Sequence, residues 1–247
     1  MVEVRTEGDA SLENPLLVEG LPGVGLAGKI AADHVRDQSD ARYYGELTGE
    51  DLPSAAVFTE GDRELHSPVR LFVDEANDLL VLSGDVPLET IDADALAAAL
   101  TDWLDEVGAT PLYLSGLPTQ REPDDVPELY GVATGDGGDL LEETGVSSPA
   151  ADGLIHGPAG ALLSAAKDRG RDACGLMVET TPKFPDPEGA HVLVRDGIAP
   201  LAGVEIDTDP LVERADEIME QRQQLAQRIQ QASGDDQSRA STTGMFQ

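Results

Sequence analysis

Gly23 to Lys29, reading GVGLAGK, is the stretch of this chain whose residue types and spacing come nearest to chemistry. It follows the apolar run Leu16-Leu17-Val18 and opens a helical segment predicted over Lys29 to Val35, so a strand, a glycine turn and a helix start stand in order. Gly23, Gly25 and Gly28 match G-x-G-x-x-G, the fingerprint in which glycines let backbone approach a pyrophosphate at a helix N-terminus. Gly23 to Lys29 also match G-x-x-x-x-G-K of the phosphate loop, whose next residue offers magnesium a hydroxyl. Here that residue is Ile30, which has no oxygen to give. A dinucleotide site also wants an acid about 20 residues further on. Glu46 and Glu50 lie near that spacing, and Asp74 closes the apolar run Leu71-Phe72-Val73 as an ATPase would require. With 48 acidic residues in the chain, such placements arise by chance. The favoured reading is a structural turn at Gly20, Gly23, Gly25 and Gly28, where small residues let the first helix pack closely on the first strand. On that reading no cofactor is expected. The alternative is a nucleotide- or nucleoside-processing enzyme built on the Gly23–Lys29 loop.

The remaining reactive residues form no constellation. His34, His66, His156 and His191 are far apart in sequence and show neither zinc spacing nor H-E-x-x-H, so no metal site is expected. His156, between Ile155 and Gly157-Pro158, could line a cleft at a strand end, although a packing role is the favoured reading. Ser83-Gly84 and Ser115-Gly116 follow apolar runs but lack the G-x-S-x-G elbow. Asp186 and Glu188 resemble paired carboxylates. In Phe184-Pro185-Asp186-Pro187-Glu188 they read better as a helix start, with Asp186 the cap, Pro187 the first position and Glu188 facing the dipole. Cys174 is the only cysteine and sits in an apolar run, which excludes a disulfide framework and predicts a small buried side chain. No catalytic residue is expected.

The elements that would hold these residues alternate. Strands are predicted at Arg42 to Leu47, Ala55 to Thr59, Val69 to Asp74, Leu79 to Ser83, Pro111 to Ser115, Leu129 to Thr134 and Ala173 to Thr180. Thr90 to Val107 is the clearest helix, with Ile91, Ala95, Leu96, Leu100, Trp103 and Leu104 at helical spacing and Gly108 ending it. Further helices are predicted from Pro158 to Lys167 and from Pro187 to Val194, with a glycine-rich turn at Gly135 to Gly138. This order indicates one α/β domain over residues 1–210, a central mixed sheet flanked by helices.

Composition bounds the partners. The net charge is −32, and the 16 basic residues are mostly arginine, with lysine only at Lys29, Lys167 and Lys183. Acids scattered over the whole length repel one another in dilute buffer, and molar salt shortens the Debye length to about 3 Å and screens them. The surface reads as adaptation to a salt-filled cytoplasm, as in halophilic archaea. Without a basic patch to displace counterions, nucleic acid is not an expected partner. No apolar run approaches the about 18 residues a membrane span needs, so a soluble, cytoplasmic protein is expected.

From Leu211 the pattern changes. Leu211, Ala215, Ile218, Leu225 and Ile229 fall at alternating four- and three-residue spacing, with Arg222 interrupting the seam. Over 211–232 this is either an amphipathic helix lying on its own domain or a helix that bundles with copies of itself. Residues 233–247 form a polar tail, expected to be disordered, that ends Met245-Phe246-Gln247. A hydrophobic, aromatic terminus on a flexible tether suits a pocket that takes the ring and pairs the carboxylate with a cation. The other reading is an inert tip.

Three ordered blocks resemble the archaeal proteasome assembly chaperone family: Glu19 to Ala32, Gly157 to Leu163, and Glu179-Thr180 followed by Phe184 to Pro187. The resemblance covers about residues 14 to 210. It implies a nucleoside-phosphorylase-like α/β architecture, a homo-oligomer and ATP-independent action without an enzymatic reaction. It also implies a partner. Members of one subgroup end in hydrophobic-Tyr-any residue, which docks between α-subunits of the 20S proteasome, and Met245-Phe246-Gln247 is similar with Phe246 in place of Tyr.

Overall fold

The computed structural model describes residues 2–61, 63–86, 93–120, 125–181 and 185–214. Eight strands form one mixed sheet: β1 Val2–Thr6, β2 Leu16–Gly20, β3 Arg42–Gly49, β4 Val69–Asp74, β5 Leu79–Gly84, β6 Thr110–Pro118, β7 Leu129–Thr134 and β8 Ala173–Thr180. Their order is β1-β3-β4-β5-β2-β6-β8-β7. The centre, β5-β2-β6-β8, is parallel, and the flanking pairs are antiparallel. The helices are α1 Ala27–Gln38, α2 Ala93–Val107, α3 Gly137–Thr144, α4 Gly157–Asp168, α5 Pro187–Val192 and α6 Ala199–Ala202, with a π-helical turn Leu193–Ile198 joining the last two.

Two hydrophobic layers sandwich the sheet. On one side Leu96, Leu100 and Leu104 of α2 and Leu162 of α4 pack with Leu17, Leu80, Leu82 and Tyr113. On the other, Ala27, Ala31, Ala32 and Val35 of α1 and Ala190, Leu193, Val194 and Ile198 pack with Val18, Val81, Leu112 and Leu176. Covered on both faces, β2 and β5 are buried along their whole length, which is why both read as nearly continuous apolar runs and not as alternating ones. Each leucine so buried contributes about 1.5–3 kcal/mol.

The single α/β domain with its mixed sheet stands as expected, and several strands keep the predicted bounds. Three local expectations change, and one strand is added. Ala55 to Thr59 is no strand: only Val57 pairs, with His66, and Phe58 is 79% exposed, so the run finds no neighbouring strand to bury it. The edge strand β1 lay unread in VEVRT, because a half-exposed edge leaves Val2 as its one fully buried residue. The glycine-rich turn is confined to Gly135, whose φ is +57°, and Asp136, and Gly137 already begins α3. The helix from Pro187 runs on through the π-helical turn to Ala202. Thr90, Ile91, Lys183 and Phe184 lie outside the described residues.

At the C-terminal end of the described chain, Leu211 is buried in the α1-side layer, so this first seam residue packs on its own domain. Ala215, Ile218, Leu225, Ile229, Met245, Phe246 and Gln247 lie outside the described residues. Among the described residues no helix is long and apolar enough to cross a membrane.

Candidate functional site

At Gly20, Gly25 and Gly28 the glycine turn leaves no room for a side chain. A Cβ on Gly20 would overlap the Ala32 Cβ, and one on Gly28 would stand 2.9 Å from the Leu114 Cβ, so α1 reaches the sheet only because both positions lack a side chain. Gly25 has φ +65°, and a Cβ there would run into the Thr180 hydroxyl. Gly23 has nothing within 4 Å. From below, Asp186 locks the turn: its amide donates to the Gly25 carbonyl at 2.8 Å. Its carboxylate accepts from the Thr180 hydroxyl (2.8 Å), the Thr181 amide (3.0 Å) and the Gly189 amide (3.0 Å). The last bond caps α5, with Pro187 in the first turn, as expected for this segment.

Lys29 is occupied as well. Its ammonium donates to Asp33 at 2.8 Å and to Asp85 at 3.2 Å. Asp85 also accepts from Arg70 at 2.6 Å, and Asp33 from Arg36 and Ser83. Burial alone would raise the Asp85 carboxyl, but the Lys29 and Arg70 charges outweigh it and hold it below the usual range. The acids considered for a nucleotide lie elsewhere. Glu46 accepts from the Ser67 amide and the Tyr43 hydroxyl. Asp74 pairs with Leu79, and Leu79 with Leu16, so it lies at the opposite end of the parallel strands from the glycine turn. There it caps the β4–β5 turn through Ala76 and Asn77.

A cleft of about 590 Å³ does open, just beyond β2. Pairing between β2 and β6 stops at Glu19 and Tyr113, whereas β6 stays paired with β8 as far as Pro118. The chain leaves β2 for α1 on one face while α2 and α4 cover the other, and α/β sheets open a crevice where connections diverge in this way. Leu21, Pro22 and Gly23 line one wall, Ser115 to Pro118 the next, and Leu154 to Ala159, leading into α4, the third. His156 thus lines a cleft as well as holding the N-cap position of α4, where no side chain caps the helix.

Glu19 lies at the floor of this cleft, 1% exposed. One carboxylate oxygen accepts from the Leu21 amide at 2.8 Å and the other from the Leu114 amide at 3.2 Å. These are the backbone donors that the parting of the two strands would otherwise leave unpaired. Burial pushes the carboxyl up to about 7, and the two amides pull against it. Beside it, burial and then the Glu19 charge raise the Tyr113 phenol well above its ordinary range. Sequence reading did not single out Glu19 as a site residue. The signal was available: a glutamate closing the otherwise apolar LLVEG, one residue before the turn. Elsewhere, Cys174 is buried as expected, its thiol donates to the Gly137 carbonyl, and burial pushes it up to about 11. Among the described residues no group of three or more His, Cys, Asp or Glu could hold a metal ion.

The glycine turn and the Gly157 block thus flank a single cleft. The PAC2 family profile matches residues 17–226, most of the chain. This chain belongs to the PAC2 family. Two uncharacterized proteins of Methanocaldococcus jannaschii are similar to it. One is 30% identical over 208 residues, covering 83% of this chain and 80% of the relative, and the other is 24% identical over 217 residues, covering 87% of each. Among solved structures, PbaA of Pyrococcus furiosus, an archaeal homolog of proteasome-assembly chaperone, superposes with a TM-score of 0.78 at 26% identity. That match covers 94% of this chain and all of PbaA. PbaB of the same organism, an archaeal proteasome activator, shares the fold with a TM-score of 0.75 at 22% identity, covering 91% of this chain and 98% of PbaB. The PAC2 fold accordingly accounts for the mixed sheet and the helices on both its faces.

Proposed function

We propose that this PAC2 protein is an ATP-independent chaperone or adaptor of the 20S proteasome, acting as a homo-oligomer in a salt-filled cytoplasm. The observation that carries this reading is the end-to-end likeness to PbaA at 26% identity. In this reading the contact is made by Met245-Phe246-Gln247, with Phe246 filling a pocket between α-subunits and the terminal carboxylate meeting a cation. Residues 233–244 supply reach, and several tails on one oligomer engage a ring together, which raises avidity without new contacts. Leu211, Ala215, Ile218, Leu225 and Ile229 serve the oligomer by directing the tails from a common face.

Local geometry argues against nucleotide chemistry at the glycine turn. Lys29 is held by two carboxylates, Asp186 underlies the turn, and Ile30 stands where a phosphate loop needs a hydroxyl. The test of the reading is recovery of 20S particles on the immobilised protein in molar salt, with Mg-ATP present and absent. Recovery in both conditions is expected. Recovery only with Mg-ATP would overturn ATP independence, and no recovery in either would overturn the proteasome role.

A further inference from the structure

The tail reading leaves the cleft beyond β2 without an occupant, although its chemistry is specific. Its walls are largely aliphatic: Leu21, Leu96, Leu117, Leu154, Ile155 and Met177. Leu154 at the mouth is 85% exposed. Its volume of about 590 Å³ falls within the range of small-molecule sites. Besides the Ser115 hydroxyl and the His156 ring, two polar features interrupt the apolar lining. Glu19 is buried with two uncharged backbone partners, and no Lys, Arg or His among the described residues pairs with it. Each of its oxygens uses one lone pair on those amides and keeps another. The second feature is the start of α4, a twelve-residue helix whose first turn has no side-chain cap, with Gly157 at φ +72° bringing backbone to the cleft wall.

Charge complementarity then defines the occupant. A buried carboxylate lacking a cation is satisfied by an ammonium or N–H donor. The positive end of α4, where Pro158 carries no N–H but Gly157 and Ala159 do, is satisfied by a carbonyl or carboxylate oxygen. Aliphatic walls between them call for an apolar body. We propose that this cleft binds a small apolar amine of amino-acid to dipeptide size, its amino group on Glu19 and its carbonyl oxygen on the first turn of α4. The site is separate from the C-terminal tail and stands whether or not the tail reaches a proteasome.

The experiment is calorimetric titration of the full-length protein with leucyl-leucinamide in molar salt at about pH 7.5, where most of the Glu19 carboxyl is ionised. The comparison probe is 4-methylpentanoyl-leucinamide, which has the same body without the amino group. Saturable binding of one probe per subunit is expected, weakened about ten-fold or more both by loss of the amino group and by Glu19→Gln. Leu154→Asp, at an exposed rim position, is expected to weaken binding several-fold without disturbing the fold. Absence of saturation by about 10 mM, or equal affinity for the two probes, would overturn the proposal. The two-probe comparison uses unaltered protein, so it decides the matter even where Glu19→Gln fails to fold. The double variant Met245→Ala/Phe246→Ala is expected to bind the probe as tightly as the unaltered protein. A ten-fold gain in that variant would assign the cleft to the chain's own terminus and overturn the small-molecule assignment.

Discussion

At the scale of single residues, Glu19 is the position where burial and charge oppose each other most directly. Its carboxyl has a pKa near 4.5 in the unfolded chain and about 7 in the fold, so the folded state prefers the protonated form. The stability tied to that preference is fully present below about pH 4.5 and is lost as the pH rises through about 7. Relative to Glu19→Gln, the unaltered protein is therefore expected to gain about 3 kcal/mol between pH 8 and pH 4.5, measured by urea unfolding at fixed high salt. A stability difference that stays flat with pH would contradict the burial assigned to this carboxyl. Asp186 supports more structure from a single side chain, because it caps α5 and ties Thr180 and Thr181 together beneath the glycine turn. Asp186→Ala is expected to cost about 2–4 kcal/mol in the same assay, and a loss below about 1 kcal/mol would show the network to be dispensable.

At the scale of elements, the seam between β2 and α1 rests on the absence of side chains. Gly20→Ala sets two methyl groups in one space and is expected to destabilise by about 1–3 kcal/mol. Because the obstruction is Ala32, adding Ala32→Gly is expected to recover about 1 kcal/mol or more as a coupling energy, and additive losses would contradict the contact. The sequence showed four closely spaced glycines between a strand and a helix, which announce close packing as readily as phosphate, but only Gly20 and Gly28 lie in the seam and Gly23 has open space beside it. The buried strands were legible for a local reason: Leu79 to Gly84 and Ala173 to Thr180 are covered on both faces and carry little that is polar. Elements that depend on distant partners were not legible. Ala55 to Thr59 has strand-like residues but no neighbouring strand, and β1 becomes a strand only by pairing with β3 from the far side of the turn. His156 pointed to a cleft, but its floor at Glu19 escaped notice because β2 and β6 part at residues 94 positions apart, Glu19 and Tyr113, and no local pattern reports such a divergence.

At the scale of the whole molecule, a net charge of −32 on 247 residues sets the conditions under which everything else operates. Repulsion among these acids opposes the compact state, and salt that shortens the Debye length from about 10 Å to about 3 Å removes most of it. The melting temperature is expected to rise by about 10 °C or more between 0.1 M and 2 M KCl, and an unchanged value would remove habitat as the reason for the charge. The same salt weakens long-range attraction to any partner, so association in it must rest on inserted apolar side chains and repeated contacts. That requirement fits the proposed oligomer with its several aromatic termini, and it makes the last three residues the point on which the proposal turns. The decisive measurement is the equilibrium affinity for purified 20S particles in molar KCl, comparing the intact protein with a form that lacks residues 245–247. The account expects a loss of about 100-fold or more, the scale on which simultaneous engagement of several tails acts. Equal affinities for the two forms would contradict it.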